Sequence, residues 1–244
     1  MSAAPTLTLA RRFNGPPDSA NGGYACGRLA AHAAAVGHLT GPAAVTLHLP
    51  VPVDTPLDYR PAGRRGHAWH GDELVASVAA AADGDLDAPG FVPEPDAKAA
   101  EDAFVGEGHP FPGCFVCGTE RPEDGLGLRP GPVAGLPGTV ACRWTPDARW
   151  ADERGEVGAA FVWSALDCPG GWTADPVRRP RVLGRMTARI DRLPTAGRTY
   201  VVVGRLDRAE GRTATNTTAL YDPADGSLLA AASAVWVALD GSAA

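Results

Sequence analysis

Cys114 and Cys117 stand at CxxC spacing within "HPFPGCFVCGTERPEDGLGL" (109–128), with a glycine directly after the second cysteine. Such a pair can supply half of a zinc site or a redox dithiol. A structural zinc needs four ligands, and the chain holds no second CxxC. Cys142, Cys168 and His109 would join only if the fold brought them in. A thioredoxin-like role needs a βαβ setting with the pair at a helix start, and the surrounding sequence supplies neither. The sequence therefore leads us to expect no metal and no cofactor, with the cysteines packed as small apolar groups.

Asp167 lies near the end of "GAAFVWSALDC" (158–168), an apolar run readable as a buried helix. Pro169 should end that helix. An acid at this end opposes both the helix dipole and the trend of burial. It either serves a reaction or holds loop backbone. Asn21-Gly22-Gly23 opens a second apolar run, "NGGYACGRLAAHAAAV" (21–36). A helix N-terminus offers free N–H groups and partial positive charge, and glycines there let a substrate approach the backbone. The same triplet also reads as an N-cap and turn. "VRRPRVLGR" (177–185) gathers four arginines. It is either a solvated loop or a clamp for phosphate groups.

These residues need elements to hold them. The first helical run is followed by strand-like "AVTLHLPVPVDTPLDY" (44–59) and "ELVASVAAAA" (73–82). The second is followed by "RMTARIDRLPTAGRTYVVVGRL" (185–206) and "SLLAAASAVWVAL" (227–239). "GRTATNTTALYDPADGSLLA" (211–230) reads as a hairpin around "DPADG". Thr46 and Tyr59 have the same separation as Thr187 and Tyr200. Between the halves, "DGDLDAPGFVPEPDAKAAEDAFVGEGHP" (83–110) is acidic, rich in Pro and Gly, and poor in periodic apolar residues, as a linker would be. Each half thus predicts one long apolar helix with several antiparallel strands. Two such units would pair their sheets edge to edge and protect those edges.

Other classes find little support. The net charge is −6, with no basic patch for nucleic acid. There is no apolar run of about 18 residues for a membrane span. The N-terminus, "MSAAPTLTLARRF", lacks a signal-peptide pattern. Five cysteines at irregular spacing suit reduced thiols, so a cytoplasmic location is expected. The sequence contains no Gly-x-Ser-x-Gly elbow, phosphate loop or Rossmann fingerprint.

Three stretches, "SANGGYACGRLAAHA", "GCFVCGTERPEDGLGL" and "VWSALDCPGGW", resemble the hotdog thioesterases, and specifically their fused double-hotdog members. The likeness is to acyl-CoA thioesterases and to the phenylacetic-acid-pathway type. That resemblance implies an α+β chain of two tandem hotdog units, each a curved antiparallel sheet wrapped around one long central helix. Residues 1–85 would form an abbreviated first unit, 86–112 a linker, and 113–240 the second unit. The family pattern is His-Gly-Gly followed by an acid seven positions after the second glycine. Here the pattern is split: Asn21-Gly22-Gly23 keeps the triplet but has Ala30 at the acid position, whereas Asp167 keeps the acid after Gly158-Ala159-Ala160. "GHPFPG" (108–113) superficially resembles a hotdog dehydratase signature, but no helix is expected after it, so His109 reads as a loop histidine.

One helix cannot bring both groups to one carbonyl, since seven residues span roughly 10 Å. In the family the two helices run antiparallel, so Asp167 would serve the opposite helix start in a single composite site. The implied activity is hydrolysis of an acyl-CoA or acyl-carrier thioester. The amides of Gly22, Gly23 and Tyr24 would polarise the carbonyl. Asp167 would be base or nucleophile, Asn21 would orient, and Thr187 would position water. Tyr24, Arg178, Arg179 and Arg181 would bind substrate. The alternatives are a non-catalytic protein binding acyl-CoA or a lipid-like ligand, and a hotdog lyase or cyclase. Self-association of the fused pair as a homo-oligomer is compatible with each.

Overall fold

The computed structural model describes residues 6–82, 86–121 and 123–239. The start of the chain, the Asp83–Asp85 opening of the acidic stretch, Pro122 and the last five residues lie outside the described residues. So do the outer ends of the segments 1–85 and 113–240.

The first apolar run forms helix α1, Gly22–Ala35. The Asn21 side chain caps it by accepting from the Tyr24 amide at 2.9 Å. Gly37 ends it with a left-handed φ of 69°. The Gly37 amide bonds to Ala34 O and the His38 amide to Ala33 O, the paired bonds of a Schellman stop. The acidic 86–112 stretch is not bare chain, because it contains helix α2, Glu94–Asp102.

The second apolar run forms helix α3, Ala159–Trp172. It runs through Pro169 instead of stopping there. The proline removes only its own N–H, and the turn beyond it is held from outside: Asn216 Nδ2 donates to Gly170 O at 3.0 Å, and the Thr173 hydroxyl donates to it at 2.7 Å. Gly204 lets the neighbouring strand close in, since a Cβ there would lie 2.8 Å from Pro169 O. Tertiary contacts here override the local stop signal.

Eleven strands make one antiparallel sheet among the described residues. In the first half they are β1 (Thr6–Thr8), β2 (Ala43–Leu47), β3 (Pro56–Ala62), β4 (Arg65–His70) and β5 (Glu73–Ala80). In the second half they are β6 (Gly131–Pro132), β7 (Thr139–Trp144), β8 (Arg181–Ile190), β9 (Tyr200–Glu210), β10 (Thr213–Asp222) and β11 (Ser227–Ala238). The order across the sheet is β1-β3-β4-β5-β2-β8-β11-β10-β9-β7-β6. The 44–59 stretch is two strands, because Pro50, Pro52 and Asp54 (φ 53°) break the ladder between them. β9, β10 and β11 are longer than β3, β4 and β5, and β10–β11 is the expected hairpin.

β2 and β8 join the two halves with antiparallel pairs Ala44↔Thr187, Val45↔Met186 and Thr46↔Arg185. Val45 and Met186 are both fully buried at the centre. Exchanging Thr46 for Thr187 and its neighbours likewise maps this ladder onto itself.

α1 and α3 cross closely and antiparallel. A Cβ on Gly23 would lie 2.4 Å from Asp167 Cβ, and one on Gly27 would lie 2.8 Å from Ala160 Cα. Both helices belong to one large core with the inner face of the sheet. α2 covers the outer face, where Val92, Ala97 and Ala100 pack with Val201, Val203 and Tyr221. This explains the unbroken apolar run at 200–203: Tyr200 and Val202 face the large core, while Val201 and Val203 face α2.

Candidate functional site

The antiparallel crossing places the end of α3 at the start of α1. Asp167 is 1% exposed. Its Oδ2 accepts from the Gly23 amide at 2.8 Å and from Asn21 Nδ2 at 3.0 Å. Asn21 therefore does two jobs, capping α1 through its oxygen and holding Asp167 through its nitrogen. Asp167 Oδ1 is buried and has no hydrogen-bond partner. Burial pushes the Asp167 carboxyl up to about 7, against the Gly23 and Asn21 hydrogen bonds that favour its charged form.

A cavity of about 560 Å³ opens on this carboxyl. Its wall includes Asn21, Gly22 and Asp167, with the β2–β3 connection at Leu47–Val51 and the apolar side chains of Leu183, Trp172 and Trp236. Three buried polar atoms on this wall have no partner: Asp167 Oδ1, Trp236 Nε1 and Arg181 Nε. Leaving one such group unmet costs about 1–3 kcal/mol. Three in one cavity is the pattern of a place built to receive a polar ligand.

The expected amide donors separate here. The Gly23 amide is committed to Asp167 and the Tyr24 amide to Asn21 Oδ1. The Gly22 amide has no acceptor among the described residues, and Gly22 is the one of the three on the cavity wall. Donation to a ligand oxygen thus falls to Gly22, not to Gly23 or Tyr24. The Tyr24 ring is buried against Phe13, with ring centroids 4.1 Å apart, and lies off the cavity.

Thr187 is not part of the site. A β-bulge at Gly184 puts one extra residue into β8 against β11, so Trp236 pairs with Leu183 and Val235 with Arg185. Inward-facing positions shift parity across it: Leu183 lines the cavity, Met186 and Ala188 enter the core, and Thr187 turns to the other face. Of the three arginines, Arg181 alone lines the cavity. It is 8% exposed, donates to Ala174 O at 2.7 Å, and forms no ion pair among the described residues. Burial lowers its pKa. Arg178 is exposed, and Arg179 is off the cavity wall.

Two further wall residues, Trp236 and Cys168, are placed there only by the fold. Trp236 faces inward by the alternation of β11, which a run of small apolar residues conceals. Cys168, next to Asp167, meets Cys114 and Cys117, and the three sulfurs lie within 4.8 Å of one another. The CxxC spacing announced two of these, but only the helix crossing supplies the third.

A second cavity, about 400 Å³, occupies the corresponding place at the other end of the crossing and is lined by Ala30 and Ala159. α3 starts there at Gly158 with no side-chain cap. Where the first cavity has Asn21 and Asp167 on its wall, this one has Ala159 and Ala30, and its one lining carboxylate, Asp191, pairs with Arg189 at 2.9 Å.

No family model and no curated protein sequence matches the chain. Solved structures do. The tesB protein of Mycobacterium avium subsp. paratuberculosis is 13% identical over 96% of this chain and 92% of its own, with a TM-score of 0.64. A protein of unknown function with a hot dog fold from Alicyclobacillus acidocaldarius is also 13% identical, with the same coverages and a TM-score of 0.62. The acyl-CoA thioesterase II TesB2 of Mycobacterium marinum is 13% identical, covers 96% and 92%, and has a TM-score of 0.57. At this identity the likeness establishes the fold, which is the hotdog fold found in thioesterases. No helix among the described residues is long and apolar enough to cross a membrane.

Proposed function

We propose that this chain is a tandem double-hotdog protein that hydrolyses acyl thioesters in one composite cavity. Residues 1–85 form one unit, 113–240 the other, and 86–112 connect them. The self-mapping β2–β8 ladder, the antiparallel α1–α3 crossing and the paired cavities support the tandem reading. One observation carries the activity. A buried carboxylate from α3, with one free oxygen, is fixed at the start of α1 beside an uncommitted amide on the same cavity wall.

In this reading Asp167 Oδ1 takes a proton from water as the water oxygen bonds to the thioester carbon. The Gly22 amide, at the positive end of α1, donates to the carbonyl oxygen as it gains charge. The tetrahedral adduct collapses with loss of the C–S bond, and the proton on Asp167 passes to the leaving thiolate. Asn21 and the Gly23 amide hold Oδ2, so Oδ1 keeps its aim. Arg181, buried without a carboxylate, suits the phosphates of coenzyme A or of a phosphopantetheine carrier. The second cavity has Ala30 in the acid's place and no side-chain cap at Gly158, and its carboxylate, Asp191, is paired with Arg189, so in this reading it is inert.

A second reading is favoured by the Gly23–Asp167 bond itself. If Asp167 acts only as a cap for α1, the cavity binds an acyl thioester without cleaving it. Thiol release from a panel of acyl-CoAs separates the two. Native protein should turn over and Asp167→Asn should not. Hydrolysis at equal rates by both proteins, or by neither, overturns the catalytic reading.

A further inference from the structure

The three sulfurs beside the site form a second chemical centre. Cys114 and Cys117 project from the 111–118 loop, and Cys168 projects from α3. All three line the same cavity. Cys114 Sγ and Cys168 Sγ are 3.8 Å apart. Ligands about 2.3 Å from a tetrahedral centre are separated by roughly this edge. Cys26 and Cys142, also buried, are not in the group.

The surroundings suit thiolates. The Val116 amide points at Cys114 Sγ at 3.4 Å, and Asn21 Nδ2 lies 3.9 Å from Cys114 Sγ and 3.8 Å from Cys168 Sγ. His109 Nε2 lies 3.2 Å from Cys117 Sγ. The Phe111 amide donates to His109 Nδ1 at 3.0 Å, so the ring proton sits on Nε2 and is directed at the sulfur. His109 is thus a donor to a ligand rather than a ligand. N–H groups aimed at sulfur are the outer-shell support that metal-bound cysteines need. Gly118 allows the tight return of the CxxC loop: its amide bonds to Cys114 O at 2.9 Å, and a Cβ there would lie 2.4 Å from that oxygen.

We propose that Cys114, Cys117 and Cys168 bind one soft tetrahedral cation, zinc by preference, as three thiolates with the fourth position open to water from the cavity. On binding, each thiol gives up its proton to solvent. The site ties the loop to the end of α3. It does not depend on thioester hydrolysis, and its readouts are separate from activity.

The test uses the full chain, purified from zinc-supplemented cells and analysed for metal, then stripped and titrated with Co²⁺. We expect about one zinc per chain. Co²⁺ should give thiolate-to-metal charge-transfer absorption and the intense visible bands of a tetrahedral centre. Cys168→Ser should lose the tight site and the charge-transfer intensity, whereas Cys142→Ser should keep both. His109→Ala should still bind, about 10- to 100-fold more weakly. Circular dichroism establishes that each variant is folded. Metal-free native protein that develops no charge-transfer band, a Cys114–Cys168 disulfide in freshly purified protein, or unchanged binding by folded Cys168→Ser would overturn the proposal.

Discussion

Asp167 Oδ2 accepts the Gly23 amide at 2.8 Å, although the two residues sit on different helices from different halves of the chain. This one bond joins the α1–α3 crossing to the candidate chemistry. It fixes Asp167 at the start of α1, and it removes Gly23 from the set of amides that could meet a ligand.

Replacing Asp167 by Asn keeps the shape and the acceptor for Gly23 but leaves no base. If Asp167 abstracts the proton from water, kcat should fall about 10²- to 10⁴-fold. Steady-state thiol release with native and Asp167→Asn protein, alongside matched circular dichroism, checks this.

Gly23→Ala should destabilise the fold. The added Cβ would lie 2.4 Å from Asp167 Cβ and 2.6 Å from Trp163 O, and neither atom is the end of a flexible side chain. Overpacking of this kind costs about 1–3 kcal/mol. Urea unfolding should show a lower midpoint with an unchanged slope.

Asn21→Ala removes the α1 cap and one donor to Asp167 together. The cap alone is worth about 1 kcal/mol. Asn21→Ser can retain the cap but is too short to hold Asp167. It should therefore recover stability more fully than kcat, and that split separates the two jobs of Asn21.

Much of this was legible in the sequence. Two apolar runs gave the two helices, and turn residues gave the β10–β11 hairpin. Asn21, Gly22 and Asp167 do reach one cavity. Thr187 went astray because the bulge at Gly184 reverses side-chain parity along β8, and nothing in the spacing reports a bulge. Pro169 misled because its turn is held by Asn216 and Thr173, the former more than forty residues away in the chain. Cys168 has no sequence relation to Cys114 and Cys117; their meeting depends on the tertiary approach of α3 to the 111–118 loop.

Arg181→Met should weaken binding of a CoA thioester while leaving the chemical step in place. A charge-assisted hydrogen bond of 1.5–3 kcal/mol corresponds to about a 10- to 100-fold rise in KM. A short thioester without phosphates should show no such rise. If both substrates suffer equally, Arg181 supports the fold and not the substrate.

Tyr59 offers a test in the first half of the chain. It is fully enclosed, its hydroxyl is 2.7 Å from His38 Nδ1, and burial pushes its pKa up to about 12. The unfolded value is about 10. The neutral form is therefore favoured by folding, so the contribution is whole below about pH 10 and lost as pH rises toward 12. Within that window native protein should lose up to about 1.4 kcal/mol per pH unit more than Tyr59→Phe. Denaturant melts of both proteins from pH 9 to pH 12 would measure the difference, and parallel curves would contradict the assignment.

The β2–β8 ladder has a further consequence, one of reaction order. Two separate chains meeting along such a ladder would form a bimolecular complex whose melting temperature rises with concentration. Here both strands belong to one polypeptide, so the connecting segment sets the local concentration and closure of the seam is first order. Dilution cannot open it. A single proteolytic cut in the loop between α2 and Cys114 would turn the same hydrogen bonds into an intermolecular contact, and closure of the seam would then depend on how much of the protein is present.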